Sequence, residues 1–231
     1  MTQLKAIFYD MDGTLVPFII DYLKARRSAI QELENHGVKK ASEMFSVEKP
    51  WTTTIKQARK YMKDNLGYSA DKISAIQEKI NRKIVEIERE AATRAVKVDN
   101  IETVLEFGKA HKIKQIIVTY NTHDVAVLTL ETVDLLHYFD AIYGRDDITH
   151  PKPNKEHLEV AAKHFNFSSQ SAILIGDMHS DILAAHNFGC EAIGIRTDFE
   201  INTIDDADYI VDQSVAPEQI IEIIKSKFSL G

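Results

Sequence analysis

The feature that most constrains the fold is a change of pattern near residue 98, where helical segments give way to helices that alternate with short apolar strands. A further apolar strand, at 4–9, precedes the helical segments. Beyond the change we predict strands at 115–119, 141–143, 172–175, 191–195 and 209–211. Strands joined by helices run parallel and are covered on both faces. The sequence therefore predicts an α/β fold with a Rossmann-like parallel sheet flanked by helices.

The helical segments between the first strand and residue 97 predict a separate domain. Isoleucines recur there at helical spacing over several turns, as a long amphipathic helix requires, and a shorter apolar stripe precedes them. The isoleucines are Ile73, Ile76, Ile80, Ile84 and Ile87, and the shorter stripe is Ile55, Ala58, Met62 and Leu66. We predict an inserted α-helical cap domain at 17–96 and a core domain formed by 1–16 and 97–231.

The composition is that of an ordinary globular protein and argues against several classes. One cysteine, Cys190, rules out an internal disulfide framework and fits a reducing compartment. The formal net charge of −7 argues against a nucleic-acid partner. The apolar run before Asp10 is too short for a signal peptide or a membrane span. We expect a cytoplasmic protein with no membrane partner, either a monomer or a homodimer.

Polar side chains follow several of the predicted strands. Ligands of open parallel sheets bind beyond the carboxyl ends of the strands, so the polar residues at these ends are candidates for a site. They are Asp10, Asp12, Thr119, Lys152, Asp177 and Asp181. Lys152 lies between two prolines, which bias the backbone away from helix and leave the lysine in a loop. We expect one crevice with four carboxylates, a hydroxyl and an ammonium.

Four carboxylates in one crevice repel each other strongly in a partly desolvated site. A bound hard cation is the simplest way to hold them together. Ligands that are oxygen atoms alone, without histidine or cysteine, favour Mg²⁺ over zinc. Mg²⁺ also keeps coordination positions for water and for phosphate oxygens. The sequence therefore predicts a magnesium site that binds an anionic substrate despite the acidic composition.

Four segments in this order resemble the motifs of the haloacid dehalogenase superfamily, and in particular its helical-cap phosphatases of the phosphoglycolate phosphatase type. The segments lie at 10–15, 116–119, 151–153 and 176–181, and each ends at or follows a predicted strand or loop as the family requires. The resemblance covers nearly the whole chain. It implies a phosphoric monoester hydrolase with a Mg²⁺ cofactor.

The resemblance also implies a role for each catalytic residue. Asp10 would be the nucleophile that forms an aspartyl-phosphate. Asp12 would protonate the leaving oxygen and then deprotonate the attacking water. Asp10, Asp177 and the backbone carbonyl of Asp12 would hold the metal, while Asp181 would orient metal-bound water or Lys152. An acid at position 12 favours phosphoryl chemistry over dehalogenation, because the dehalogenating branch lacks one there.

A second set of residues is expected to bind the phosphoryl group. Thr119 and Lys152 would clamp its oxygens, Asp12 would lie beside them, and Gly13 would let the backbone approach closely. The family usually places Asn directly after the threonine, whereas here Tyr120 intervenes before Asn121. The backbone amide of Tyr120 is still expected to bind phosphate, but its side chain would shape the pocket differently.

These expectations describe a phosphatase that acts on a small phosphorylated metabolite, with phosphoglycolate and sugar phosphates as candidate substrates. Two alternatives remain open. One is a phosphotransferase or mutase of the β-phosphoglucomutase type, in which the aspartyl-phosphate passes to a sugar hydroxyl. The other is a non-catalytic protein that binds a phosphometabolite, although such proteins tend to lose the nucleophile or the metal ligands.

Substrate specificity is expected to reside in the cap. Arg26 lies on the predicted stripe of Ile19, Leu23, Ile30 and Leu33, and one hypothesis is that it meets the distal charge of the substrate. The alternative, favoured by burial statistics, is a snorkelling or ion-paired arginine at the edge of the bundle. The segment 49–52, with a lysine, a proline and a tryptophan, is a second candidate for specificity or for anchoring the bundle.

Overall fold

The computed structural model of the chain describes residues 1–17, 20–47, 51–197 and 203–230, with the main chain alone at 51–53 and 215. The chain divides into two compact units. The core unit joins Met1–Ile19 to Ala92–Gly231, and the helical unit is Ile20–Ala91. The boundaries predicted from the sequence, at 16/17 and 96/97, lie three and five residues from these. Among the described residues, no helix combines the length and the apolar character that crossing a membrane requires.

One sheet forms the centre of the core unit. In the described part of the chain it contains six parallel strands in the order β3-β2-β1-β4-β5-β6. The strands are β1 (Ala6–Tyr9), β2 (Lys114–Val118), β3 (Ala141–Tyr143), β4 (Ala172–Gly176), β5 (Glu191–Arg196) and β6 (Tyr209–Asp212). The predicted Rossmann-like parallel sheet with an inserted helical cap is confirmed.

The helices fall into the two units. Those of the helical unit are α1 (Tyr22–Asn35), α2 (Ala41–Met44), α3 (Trp51–Asp64) and α4 (Ala70–Ala92), the last of which runs into the core unit. Those of the core unit are α5 (Glu102–Ala110), α6 (His123–Thr132), α7 (Glu156–Phe165), α8 (His179–Phe188) and α9 (Ala216–Lys227). The inserted segment is therefore helical in its described part, as the sequence predicts.

Strand β1 is buried on both faces, which explains its continuous apolar sequence. Because successive side chains of a strand point to opposite faces, Ile7 and Tyr9 pack with α5, α6 and α9, whereas Ala6 and Phe8 pack with α7 and α8. All four side chains are fully buried. Strand β1 is hydrogen-bonded to β2 on one side and to β4 on the other. The residues that follow β1 therefore lie between those that follow its two neighbours.

The ends of several elements differ slightly from the prediction. Strand β1 begins at Ala6 and not at residue 4, because the amide of Leu4 donates to the carbonyl of Ser229 (3.1 Å) near the C-terminus. Strand β2 is shifted by one residue toward the N-terminus, so Thr119 follows the strand. Local contacts mark the start of one helix and the end of another. The Asn154 side chain accepts the Glu156 amide (3.0 Å) at the start of α7, and Gly189 ends α8 with a φ of 91°.

The helical unit has an apolar centre of its own. The isoleucines of the predicted long stripe all lie on α4, and all are buried there. They pack with buried side chains of α1 and α3, including Leu33, Ala58 and Met62. Helix α1 begins where the carboxylate of Asp21 accepts the amide of Lys24 (2.8 Å), a side-chain cap for an otherwise unpaired N–H. The unit therefore has both the patterning and the buried centre of a small helical bundle.

Candidate active site

The carboxylate of Asp10 and the ammonium of Lys152 form the centre of the site. Asp10 directly follows β1, and its amide still donates to the carbonyl of Ile175 (2.9 Å), so the residue is fixed at the sheet edge. Lys152 reaches it from the loop before α7. Its Nζ lies 2.9 Å from Oδ1 of Asp10 and 2.5 Å from Oδ1 of Asp181. Three of the predicted residues, from widely separated segments, are thus in direct contact.

Burial and charge act in opposite directions on Lys152. The side chain is fully buried, and burial alone lowers the pKa of an ammonium. The carboxylates of Asp10 and Asp181 outweigh this effect and hold the pKa of Lys152 above its ordinary value. A permanently charged lysine therefore sits next to Asp10. The ammonium also lies 5.5 Å from the ring centroid of Tyr120, within the range of a cation–π contact.

Asp177 carries a buried carboxylate that no hydrogen-bond donor among the described residues contacts. It follows β4, is fully buried, and neither carboxylate oxygen has a hydrogen-bond partner among the described residues. Burial first, and then the charges of Asp10 and Asp181, raise the pKa of Asp177 to about 9. Burial and the charge of Asp10 likewise raise the pKa of Asp181 to about 7, even though Lys152 opposes the shift. Carboxylates in such surroundings require a proton or a cation.

The same carboxylates fit a metal ion. One oxygen from each of Asp10, Asp177 and Asp181 lies within 4.8 Å of the others, so the three side chains offer a compact set of hard oxygen ligands. The two unpartnered oxygens of Asp177 are the strongest single indication that this pocket is built around a cation. The prediction that the main chain of Asp12 completes the ligands, with Asp181 behind them, stays a prediction.

Asp12 contacts the loop after β2. Its Oδ2 accepts a hydrogen bond of 2.6 Å from Nδ2 of Asn121, and both residues are buried. The turn around Asp12 is tight. The amide of Leu15 donates to the carbonyl of Met11 (2.8 Å), and the amide of Gly13 donates to the carbonyl of Val16 (2.7 Å). Gly13 has a φ of 82°, a conformation that favours glycine. Asp10 thus contacts Lys152, whereas Asp12, two residues later, contacts Asn121.

The loop after β2 carries the remaining predicted residues. Thr119 is buried, and its Oγ1 accepts the amide of Asn121 (3.2 Å). The hydroxyl of Tyr120 donates to the main-chain carbonyl of Lys152, and the carbonyl of Tyr120 accepts from Nη1 of Arg145 (2.6 Å). Tyr120 therefore links the loop after β2 to the loop that contains Lys152. Its predicted contact with phosphate through the backbone amide remains a prediction.

Two residues near the site received no role in the sequence interpretation. Asn121 is one of them, although a polar side chain two positions after a threonine at a strand end is a signal that the sequence contains. Gly176 packs so closely on α8 that a Cβ atom there would lie 2.6 Å from Cβ of Asp181. Nothing in the sequence around Gly176 indicates this close approach, because it depends on how α8 packs against β4.

The candidates for specificity lie in the helical unit. Leu23 is 47% exposed, so the predicted apolar stripe of α1 is wrong at that position, and the buried face runs instead through Ala25 and Ala29. Arg26 is half-buried and its Nη1 donates to the carbonyl of Val47 (3.0 Å), a contact typical of an arginine at the edge of a bundle. Ile19 and residues 49–50 lie outside the described residues, as do the side chains of 51–52.

Comparison with known proteins identifies relatives over nearly the whole chain. A phosphoglycolate phosphatase of Pasteurella multocida is 24% identical over 204 residues, which cover 87% of this chain and 90% of the relative. A validoxylamine A 7′-phosphate phosphatase of Streptomyces hygroscopicus is 25% identical over 215 residues, with coverage of 90% and 92%. Among solved structures, a β-phosphoglucomutase of Clostridium difficile has the same fold, with a TM-score of 0.69 at 18% identity and coverage of 97% and 98%.

The family model of the haloacid dehalogenase-like hydrolases matches residues 7–195, a span that contains all four motif segments and the inserted helices. This match confirms the resemblance on which the predicted site depends. The chain is an enzyme of the haloacid dehalogenase-like hydrolase family.

Proposed function

We propose that the chain is a magnesium-dependent phosphatase that hydrolyses small phosphate monoesters through an aspartyl-phosphate on Asp10. The observation that carries the proposal is the placement of Asp10. Its carboxylate contacts a buried, charged lysine at 2.9 Å and lies among two further buried carboxylates. Such a group is fixed at the sheet edge beside a positive charge, as a carboxylate nucleophile requires. The phosphatase relatives named above support the same chemistry.

Mg²⁺ would be held by the carboxylates of Asp10 and Asp177 and by the main-chain carbonyl of Asp12. When bound, it would supply positive charge that offsets the carboxylates and the phosphoryl oxygens. The unpartnered oxygens of Asp177 support this assignment. Asp181 contacts Lys152 at 2.5 Å, which supports its role in orienting the lysine and not in the reaction itself.

The residues of the chain would then act in two half-reactions. In the first, a carboxylate oxygen of Asp10 attacks phosphorus and the bond to the leaving oxygen breaks, while Asp12 gives that oxygen its proton. In the second, water attacks the aspartyl-phosphate, Asp12 takes the water proton, and inorganic phosphate leaves. Lys152 and Thr119 would bind the phosphoryl oxygens, whose charge must be stabilised in both steps. The amide of Tyr120 and the backbone at Gly13 would complete the phosphate site.

Phosphoglycolate and sugar phosphates are the proposed substrates, on the strength of the relatives. Arg26 remains a proposed contact for the distal charge of the substrate. Its bond to the Val47 carbonyl engages part of the guanidinium, so the test is kinetic. If Arg26→Ala leaves the KM of every hydrolysed ester unchanged, Arg26 does not contact substrate.

The proposal is tested by phosphate release from a panel of phosphoglycolate, sugar phosphates and phenyl phosphate, with Mg²⁺ and with EDTA. We expect phosphate release in Mg²⁺ but not in EDTA, and we expect Asp10→Asn to release no phosphate under either condition. Asp205→Asn, at an exposed aspartate of the core unit, is the matched control and is expected to retain activity. Release that survives Asp10→Asn refutes the covalent mechanism. A sugar bisphosphate in place of inorganic phosphate indicates a mutase, and no turnover of any ester supports a binding protein.

A further inference from the structure

Asn121 makes a contact that the four motifs do not account for. Its side-chain Nδ2 lies 2.6 Å from Oδ2 of Asp12, and both side chains are almost completely buried. A bond between residues 109 positions apart joins the loop after β2 to the turn after β1. At 2.6 Å the contact between the amide nitrogen and the carboxyl oxygen is a close one. The partner of Asn121 is the proposed acid and base of the reaction.

The main chain of Asn121 is held by two hydrogen bonds, and that of its neighbour Tyr120 by a third. Its amide donates to Oγ1 of Thr119 (3.2 Å), and its carbonyl accepts the amide of Arg145 (2.9 Å) from the loop after β3. The guanidinium of Arg145 in turn donates to the carbonyl of Tyr120 (2.6 Å). The side chain thus projects from a loop that is tied on both sides. A rigid donor of this kind can fix the group it contacts, because its own position is determined by packing and hydrogen bonds.

We propose that Asn121 is a positioning residue that orients the carboxyl group of Asp12 for proton transfer. The inference rests on the proposed function, since it needs Asp12 to act as acid and base. The amide N–H of Asn121 contacts Oδ2, so the proposal assigns the proton exchanged with the substrate to Oδ1. In the first half-reaction that proton passes from Oδ1 to the leaving oxygen as its bond to phosphorus breaks. In the second, Oδ1 takes a proton from water.

Asn121 stands directly after Tyr120 in the chain, and the two side chains have different partners. The insertion of Tyr120 moves Asn121 one residue beyond the place where the family usually has an asparagine. Tyr120 turns to the carbonyl of Lys152, whereas Asn121 turns to Asp12. The two neighbouring side chains therefore serve different parts of the site. The loop after β2 would set both the lysine that binds phosphate and the carboxyl that moves the proton.

The experiment compares two esters that differ in the need for a proton. Phenyl phosphate requires protonation of its leaving oxygen, whereas 4-nitrophenol is acidic enough to leave as its anion. General acid catalysis contributes about 10²- to 10⁴-fold, so a misplaced acid forfeits part of this factor for phenyl phosphate alone. For Asn121→Ala and Asn121→Asp we expect kcat/KM to fall roughly 10- to 100-fold with phenyl phosphate and less than about threefold with 4-nitrophenyl phosphate.

Two reference variants make the comparison selective. Asp12→Asn removes the acid itself and is expected to show the same discrimination between esters, only larger. Thr122→Val removes a buried hydroxyl in the same loop that bonds no described residue, and is expected to change neither ester. A crystal structure of Asn121→Ala should show the carboxyl group of Asp12 rotated from its position in the wild type.

The outcomes separate the inference from the proposed function. Equal losses for both esters in Asn121→Ala, or no loss for either, overturn the positioning role while Asp12→Asn still discriminates. An unmoved Asp12 carboxyl group in the crystal structure overturns it as well. If Asp12→Asn lowers kcat/KM equally for both esters, or if the wild type hydrolyses neither ester, the proposed acid role of Asp12 is refuted and the positioning role of Asn121 is refuted with it.

Discussion

Replacing Asp177 by asparagine should stabilise the metal-free protein. In the absence of a cation the pKa of this carboxyl group is raised to about 9 by burial and by neighbouring carboxylates, against an ordinary value of 3.8. At neutral pH the folded state must therefore hold a proton that the unfolded state has released. The interval of about three pH units between 3.8 and neutrality corresponds to about 4 kcal/mol. The asparagine side chain of the variant would carry no such cost, and it fills nearly the same volume.

The pH dependence of this effect has a definite sign. Because the pKa of Asp177 is higher in the folded state, its contribution to stability is fully present below 3.8 and is lost as pH rises toward about 9. The wild type should lose about 1.4 kcal/mol per pH unit from this group between those limits, relative to Asp177→Asn. The advantage of the variant therefore grows as pH rises from mildly acidic to mildly alkaline values.

Urea unfolding in EDTA at several pH values measures the difference directly. Asp205→Asn, at an exposed position, controls for the general effect of removing one negative charge. Mg²⁺ should raise the unfolding free energy of the wild type and leave that of Asp177→Asn nearly unchanged, because a ligand stabilises only the state that binds it. A variant less stable than the wild type in EDTA, or a difference that does not change with pH, would refute the electrostatic argument.

Three further substitutions test other parts of the structure. Lys152→Met leaves the buried carboxylates of Asp10 and Asp181 without their cation, so it should abolish phosphate release and lower the unfolding free energy by about 3–5 kcal/mol in urea titrations. Gly176→Ala places a Cβ atom 2.6 Å from Cβ of Asp181 and should displace α8, which calorimetric titration would detect as weaker Mg²⁺ binding. Ile80→Ala opens a cavity in the helical unit and should cost about 2–5 kcal/mol, measured by the urea transition of that unit.

The strand ends could be predicted from the sequence because each combines a short apolar run with a polar residue that has no place in a core. The buried run before Asp10 and the one before Asp177 are of this kind, and the sheet brings both to one edge. The sequence predicts Lys152 in the same crevice, because the flanking prolines place it in a loop, but it does not predict the direct contact with Asp10. The alternation of strands and helices also limits the possible neighbours of β1, because two parallel strands must be joined by a crossover connection such as a helix.

Side-chain contacts between loops could not be predicted in the same way. The bond from Asn121 to Asp12 depends on how the loop after β2 is tied to the loop after β3, through the amide of Arg145. The exposure of Leu23 was predicted wrongly because an apolar spacing on α1 does not reveal which neighbours cover it. Such features depend on packing between distant segments, for which a single sequence contains no direct signal.

The central place of β1 has a consequence for how the protein is made. Asp10 is synthesised well before its hydrogen-bonded neighbour β4, which ends at Gly176, and Asp181 follows later still. The helical unit, by contrast, is one continuous segment with its own buried centre and can fold as soon as it has left the exit tunnel. The crevice around Asp10 therefore cannot form until β4 and Asp181 have been synthesised, and before then the apolar strand that precedes Asp10 lacks its neighbours in the sheet.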